Sequence, residues 1–170
     1  AVMGSKNIKA IIVKSSEQRY CPADPESLDK LKRELDVRIR ESVTSQVFHE
    51  NGTAANLEGA VHAGDVPIKN FTSSFWEKMA EALTGSTLTE TYLTNKAACA
   101  FCKIACKRVV RIDEGPFAIP KGPGPEYETI AAFGAMLGSK DLAAVCAAGR
   151  ICNDLGMDTI TAGSTISWAM

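Results

Sequence analysis

Histidine is scarce in this 170-residue chain: His49 and His62 are the only two. Both lie far in sequence from the crowded cysteines, so a zinc site built from cysteine and histidine has little to work with. A basic excess is also missing. Nineteen Lys and Arg stand against twenty Asp and Glu, for a net charge of −1. That removes the electrostatic footprint of a protein that binds nucleic acid or an anionic membrane surface. No apolar run reaches the roughly 20 residues that a membrane-spanning helix needs. No signal peptide is recognisable, so a cytoplasmic location is the expectation. There is no internal repeat and no low-complexity tract. What is left is an ordinary globular composition, 45% hydrophobic and 23% charged, long enough for one domain with a real core.

Against that background the cysteines stand out. The stretch "CAFCKIAC" holds Cys99, Cys102 and Cys106 at C-x2-C-x3-C spacing. Nothing marks the chain as secreted, so a disulfide framework is not expected. Three thiols this close suit a soft metal. An iron–sulfur cubane takes four cysteines, often three from one tight segment and one from far away. Zinc more often uses two C-x2-C pairs, and simple packing is a third reading. The spacing favours iron–sulfur. Cys21, in a turn, and Cys146 and Cys152, on alanine-rich helix, have core packing as their default role, and none has a special claim to be the fourth ligand. Lys103, Lys107 and Arg108 flank the thiols. They either stabilise the reduced form of an anionic cluster or are solvated surface charges.

Local patterning predicts a mainly α fold with minor β at the start. "NIKAIIVK" (7–14) reads as a short buried strand, broken by "YCPADP". Asp24 then caps a helix with Pro25 at its first position and Glu26 in its first turn. Leu28, Leu31, Leu35, Ile39 and Val43 form its buried stripe, opposite a charged face with Lys32, Arg33, Asp36 and Arg40. Asn51-Gly52 is a turn. Phe75, Trp76, Met79 and Leu83 mark a second amphipathic helix ended by Gly85, and a third short helix covers 88–93. "RVVRI" is extended. "DEGPFAIPKGPGPEYE" is a loop rich in Gly and Pro. "YETIAAFGAMLG" and "DLAAVCAAGRICNDLG" are alanine-rich helices, the second capped by Asp141 and ended by Gly156. The internal Met3 and the apolar, uncapped "TAGSTISWAM" read as the ends of an excerpt from a longer protein.

Four segments in order carry a family resemblance over essentially the whole chain. "AVMGSKNIKAIIV", "CAFCKIAC", "GPEYETIAAFGAMLG" and "CNDLGMDTIT" resemble the corresponding motifs of the tungsten-containing aldehyde:ferredoxin oxidoreductases. The resemblance implies a multihelical middle domain over 15–170, truncated at its C-terminus, with 1–14 as the tail of a preceding pterin-binding domain. It implies a tungsten (or molybdenum) bis-pterin and a 4Fe-4S cluster. Cys99, Cys102 and Cys106 would ligate the cluster, and the fourth cysteine would come from a further domain. The family's pterin motif falls on Asn153, Asp154, Gly156, Met157 and Asp158. Asn153 stands where the family usually has aspartate, so a charge-assisted bond is replaced by an amide's. Met157 replaces leucine mildly. Glu128 is the acid most similar in position to one near the metal, with Glu126 two residues away. The implied reaction is oxidation of an aldehyde to a carboxylic acid with ferredoxin as acceptor. Partners would be the aldehyde, ferredoxin and the remaining domains of the same polypeptide, with room for a homo-oligomer. Two other classes compete: a non-catalytic 4Fe-4S electron-transfer module, and a structural zinc-binding helical domain.

Overall fold

The computed structural model describes residues 2–14 and 21–170. The chain divides into two compact units, 1–41 and 42–170. The first contains a single turn, α1 (Val2–Ser5), and the long α2 (Pro25–Glu41). Ser27 donates its backbone N–H to Asp24 Oδ1 at 3.0 Å, so the expected cap is made. The stripe of α2 is not buried: Leu31 and Leu35 are 50% and 43% exposed. Among the described residues of this unit, one turn of helix and an irregular segment offer no second apolar face to cover it.

The expected strand at 7–14 is also absent. Residues 8–14 have no regular structure, and Ile12 and Val13 are 91% and 82% exposed. A strand needs a partner for its backbone groups, and none pairs with this segment among the described residues. The start of the predicted break, at Tyr20, lies outside the described residues.

The second unit holds the core. Ser42 interrupts the predicted long helix by capping a new one, α3 (Val43–Asn51), through a bond from Ser45 N. Then follow α4 (Leu57–His62), α5 (Glu77–Leu83) and α6 (Gly85–Tyr92). Gly85 does not end a helix; it opens α6 and is buried, with its N–H donated to Ala54 O at 3.0 Å. An added Cβ there would collide with the Asn51 carbonyl oxygen and the Ala55 nitrogen.

Next comes an antiparallel sheet in the order β1 (Leu93–Ala97), β2 (Lys107–Ile112), β3 (Ile119–Pro123). The extended "RVVRI" is its central strand. β3 lies inside the segment predicted to be loop, its prolines tolerated because it is an edge strand. α7 (Tyr127–Ile130) widens directly into a π-helical turn over Ala131–Ala135. α8 (Leu142–Leu155) is capped by Asp141, which accepts from Ala144 N at 3.0 Å. It ends at Gly156, in the left-handed region at φ 68°. The C-terminal stretch is α9 (Thr159–Ala169), capped by Asp158.

Leu57, Ile68, Met79, Leu83, Val110 and Ile130 form the centre of the core, each essentially inaccessible. The protein is mainly α, as expected, but its β structure sits mid-chain.

Gly85→Ala is expected to destabilise the fold by at least ~2 kcal/mol, because the methyl group meets backbone that has no slack. Chemical denaturation of the two proteins checks this; equal midpoints would refute the close approach.

Candidate functional site

The cysteine cluster lies on the connection between β1 and β2. Cys102 donates its N–H to Cys99 O at 3.1 Å, closing a turn. Phe101 and Ala105 both adopt positive φ, 62° and 54°. These conformations are uncommon for residues with a Cβ, so the surroundings must hold the loop in shape.

They do so through its carbonyls. His49 Nδ1 donates to Ile104 O at 2.6 Å. Arg108 Nη2 donates to Ala105 O, and its Nε to Cys106 O, both at 3.1 Å. The same guanidinium donates to the last carbonyls of α3, with Nη1 to Glu50 O at 2.7 Å and Nη2 to His49 O at 2.8 Å. Three consecutive carbonyls of the loop are thus tied towards α3. Arg108 is 4% exposed. Alternation in β2 puts it on the same face as Val110 and Ile112, also buried. That alternation was the signal in the sequence that could have separated Arg108 from its lysine neighbours.

Cys99 is exposed, whereas Cys102 and Cys106 are half-buried. Burial pushes the Cys106 thiol up from its ordinary pKa. The negative charge of Glu126 adds to that, its own backbone N–H opposes it, and Cys102 and Cys99 contribute further upward push. The three thiols and Glu126 therefore share one electrostatic neighbourhood. Burial lowers the Arg108 pKa, while the charges of Cys106, Glu126 and Glu50 act to raise it. Among the described residues no three His, Cys, Asp or Glu side chains form a closed metal-binding group.

Beside the loop lies a cavity of about 290 Å³. Arg108 and Glu126 line one part of it; Thr129, Cys146, Asn153 and Thr159 line another. Glu126 precedes α7 and accepts a hydrogen bond from Thr53 Oγ1 at 2.6 Å, while the same hydroxyl accepts from Tyr127 N at 2.9 Å. Thr129 and Thr159 join α7 to α9 through their hydroxyls at 2.9 Å. Sequence reasoning missed Thr53 and His49, which stand apart from any motif, and Thr129, which lies within "GPEYETIAAFGAMLG" next to the two acids.

The predicted site residues separate. Asn153 lines the cavity. Glu128 is exposed and is not part of the lining, whereas Glu126 is. Asp154 pairs with Arg150 at 2.7 Å. Asp158 is occupied as the α9 cap, accepting from the N–H and the hydroxyl of Thr161 at 2.7 and 2.6 Å. These two bonds hold its carboxyl below the usual range. Gly156 ends α8, and Met157, 45% exposed, lies outside the cavity lining. Cys146 is buried in the cavity floor, and burial, with Asp141 adding, pushes its thiol up to about 12. It stays protonated at neutral pH and joins no ligand group with the loop cysteines.

Residues 30–170 match the family described as "Aldehyde ferredoxin oxidoreductase, domains 2 & 3". The chain is 36% identical, over its whole length, to tungsten-containing aldehyde ferredoxin oxidoreductases of Pyrococcus furiosus and Thermococcus kodakarensis. Over 99% of its length it is 28% identical to the aliphatic sulfonate oxidoreductase, WOR-like subunit, of Pyrococcus furiosus. It spans 27% of the length of each of these relatives.

A thiol that holds its proton more tightly in the fold than in the unfolded chain contributes its full share below its unfolded pKa of 9.0 and loses it as pH rises towards about 12. Folding stability is therefore expected to fall over that window, by at most ~4 kcal/mol from this group. Cys146→Ala should flatten the slope in urea titrations at stepped pH. An unchanged slope would mean the thiol is not buried as described.

Proposed function

The chain belongs to the aldehyde ferredoxin oxidoreductase family, and on that premise we propose that it is the helical part of a tungsten-pterin iron–sulfur enzyme that oxidises aldehydes with ferredoxin as acceptor. One observation carries the reading. The strand that follows the cysteine loop, the acid of "GPEYE" and the asparagine of "NDLGMD" are separate in sequence, yet Arg108, Glu126 and Asn153 line a single cavity.

The donor set fits an iron–sulfur cluster. Cys99, Cys102 and Cys106 offer three thiols on one loop, and the carbonyls of its last three residues are engaged elsewhere. The fourth ligand would come from another part of the polypeptide. The Asn153 amide would bond the pterin edge through its oxygen or its NH2. Gly156 would present backbone at the end of α8. Asp154 and Asp158 act indirectly, holding the end of α8 and the start of α9. When bound, tungsten (or molybdenum) with its pterins would supply the two-electron redox chemistry.

The balance is aldehyde plus water to carboxylic acid, two electrons and two protons, the electrons leaving singly to ferredoxin. Glu126, set on the cavity wall by Thr53, takes a proton as water adds to the carbonyl carbon. Here the geometry favours Glu126 over Glu128 as the working acid.

Metal analysis of the complete gene product, isolated anaerobically, tests the reading. Iron together with tungsten or molybdenum is the expected result. Iron alone would leave a simple electron-transfer module, and zinc alone would overturn the cluster assignment. In the metal-loaded enzyme, Glu126→Gln should lower kcat by about 10²-fold or more with metal content unchanged, and Glu128→Gln should stay within about twofold. The reverse order would restore Glu128 as the acid.

A further inference from the structure

On the cluster reading above, which this step requires, we infer that Arg108 is the positioning residue of the cysteine loop and the cation that sets the redox potential of the bound iron–sulfur centre, with His49 as its partner in holding the loop. Three cations flank the thiols in sequence. Lys103 and Lys107 are exposed, so water and salt screen them. Arg108 is 4% exposed, so its charge acts through protein rather than solvent.

The bonding of Arg108 is unusual for a buried cation. Among the described residues its hydrogen bonds all go to neutral peptide carbonyls, those of His49, Glu50, Ala105 and Cys106. A buried charge with no direct counter-ion is costly. The carboxylates that face it are Glu126 and Glu50, and the Cys106 thiol lies within reach as well. Glu50 is engaged by Lys96 at 2.7 Å. Glu126 faces the guanidinium without a direct bond to it, and a thiolate-ligated cluster on Cys106 would add further negative charge beside it. The cluster gains a further unit of negative charge on one-electron reduction, and a nearby fixed cation favours the reduced state.

The positioning role rests on separate geometry. His49 and Arg108 draw three successive carbonyls towards α3, which turns the opposite ends of those peptides, the N–H groups, away from it. Hydrogen bonds from N–H to cluster sulfur also raise the potential. Gly52, which ends α3 at φ 72°, leaves room for the arrangement: a Cβ there would lie 3.2 Å from Arg108 Cγ and Cδ and from Cys106 O.

The test is a redox titration of the complete enzyme followed by electron paramagnetic resonance, with iron content measured in parallel. Arg108→Gln is expected to retain iron and shift the midpoint potential to more negative values. Arg108→Lys keeps the charge but not the fork, so its midpoint should stay nearer wild type while its spectrum changes shape. Lys103→Gln serves as the screened control and should leave both unmoved. Should Arg108→Gln fail to fold, Arg108→Lys and His49→Gln still decide the matter through their spectra. A wild-type midpoint in Arg108→Gln, an equal shift in Lys103→Gln, or unchanged spectra in both Arg108→Lys and His49→Gln would overturn the inference. An iron-free wild-type enzyme would overturn the cluster reading itself, and this inference with it.

Discussion

The Arg108 guanidinium joins the end of α3 to the cysteine loop with four hydrogen bonds, none of them to a side chain. Helix ends leave carbonyls without partners, and an irregular loop does the same. One planar fork satisfies both sets at once. The geometry then propagates. α3 must end in a glycine that leaves space for the arginine stem, and the Arg108 carbonyl accepts from Gly124 N at 2.9 Å. That bond brings the segment after β3, and with it Glu126, to the cavity.

The opposite side of the cavity depends on close approach of helices rather than on charge. A Cβ at Gly163 of α9 would collide with Ala132, and one at Gly134 with Leu83. Both Ala132 and Gly134 lie in the π-helical turn that follows α7. The extra residue of a π turn displaces the side chains that follow it and often marks a functional position. Here it lets α9 pack onto the turn while Thr129 meets Thr159. The result is a wall of small side chains and hydroxyls, with Asn153 contributed by α8.

Burial and electrostatics separate five of the six cysteines into two groups. Cys146 and Cys152 are buried, and their thiols are pushed up, chiefly by burial, so that they act as small apolar groups. The three loop thiols sit nearer solvent; Cys106 is within reach of the other two and of Arg108. A thiolate cluster is more readily assembled in such a place than in the floor of the cavity.

Features that depend on a few neighbouring residues were legible in the sequence. Asp24 and Asp141 cap helices, and Gly156 ends one, because a cap is decided within one turn of chain. The C-x2-C-x3-C spacing is equally local, and the turn that Cys102 N closes on Cys99 O lies within it. Features that depend on pairing across the chain were not. "NIKAIIVK" has the composition of a strand but no partner, while the proline-containing 119–123 segment became one because β2 was there to pair with it. Gly85 resembles a helix stop and is instead a contact point with α3's last carbonyl, which only packing reveals. The same distinction applies to the site. Spacing singled out the thiols, and the family resemblance pointed to two acids two residues apart. Which acid faces the cavity, and which of three adjacent cations is buried, was decided by the register of β2 and the Thr53 hydrogen bond, both set by residues more than fifty positions away or across a sheet.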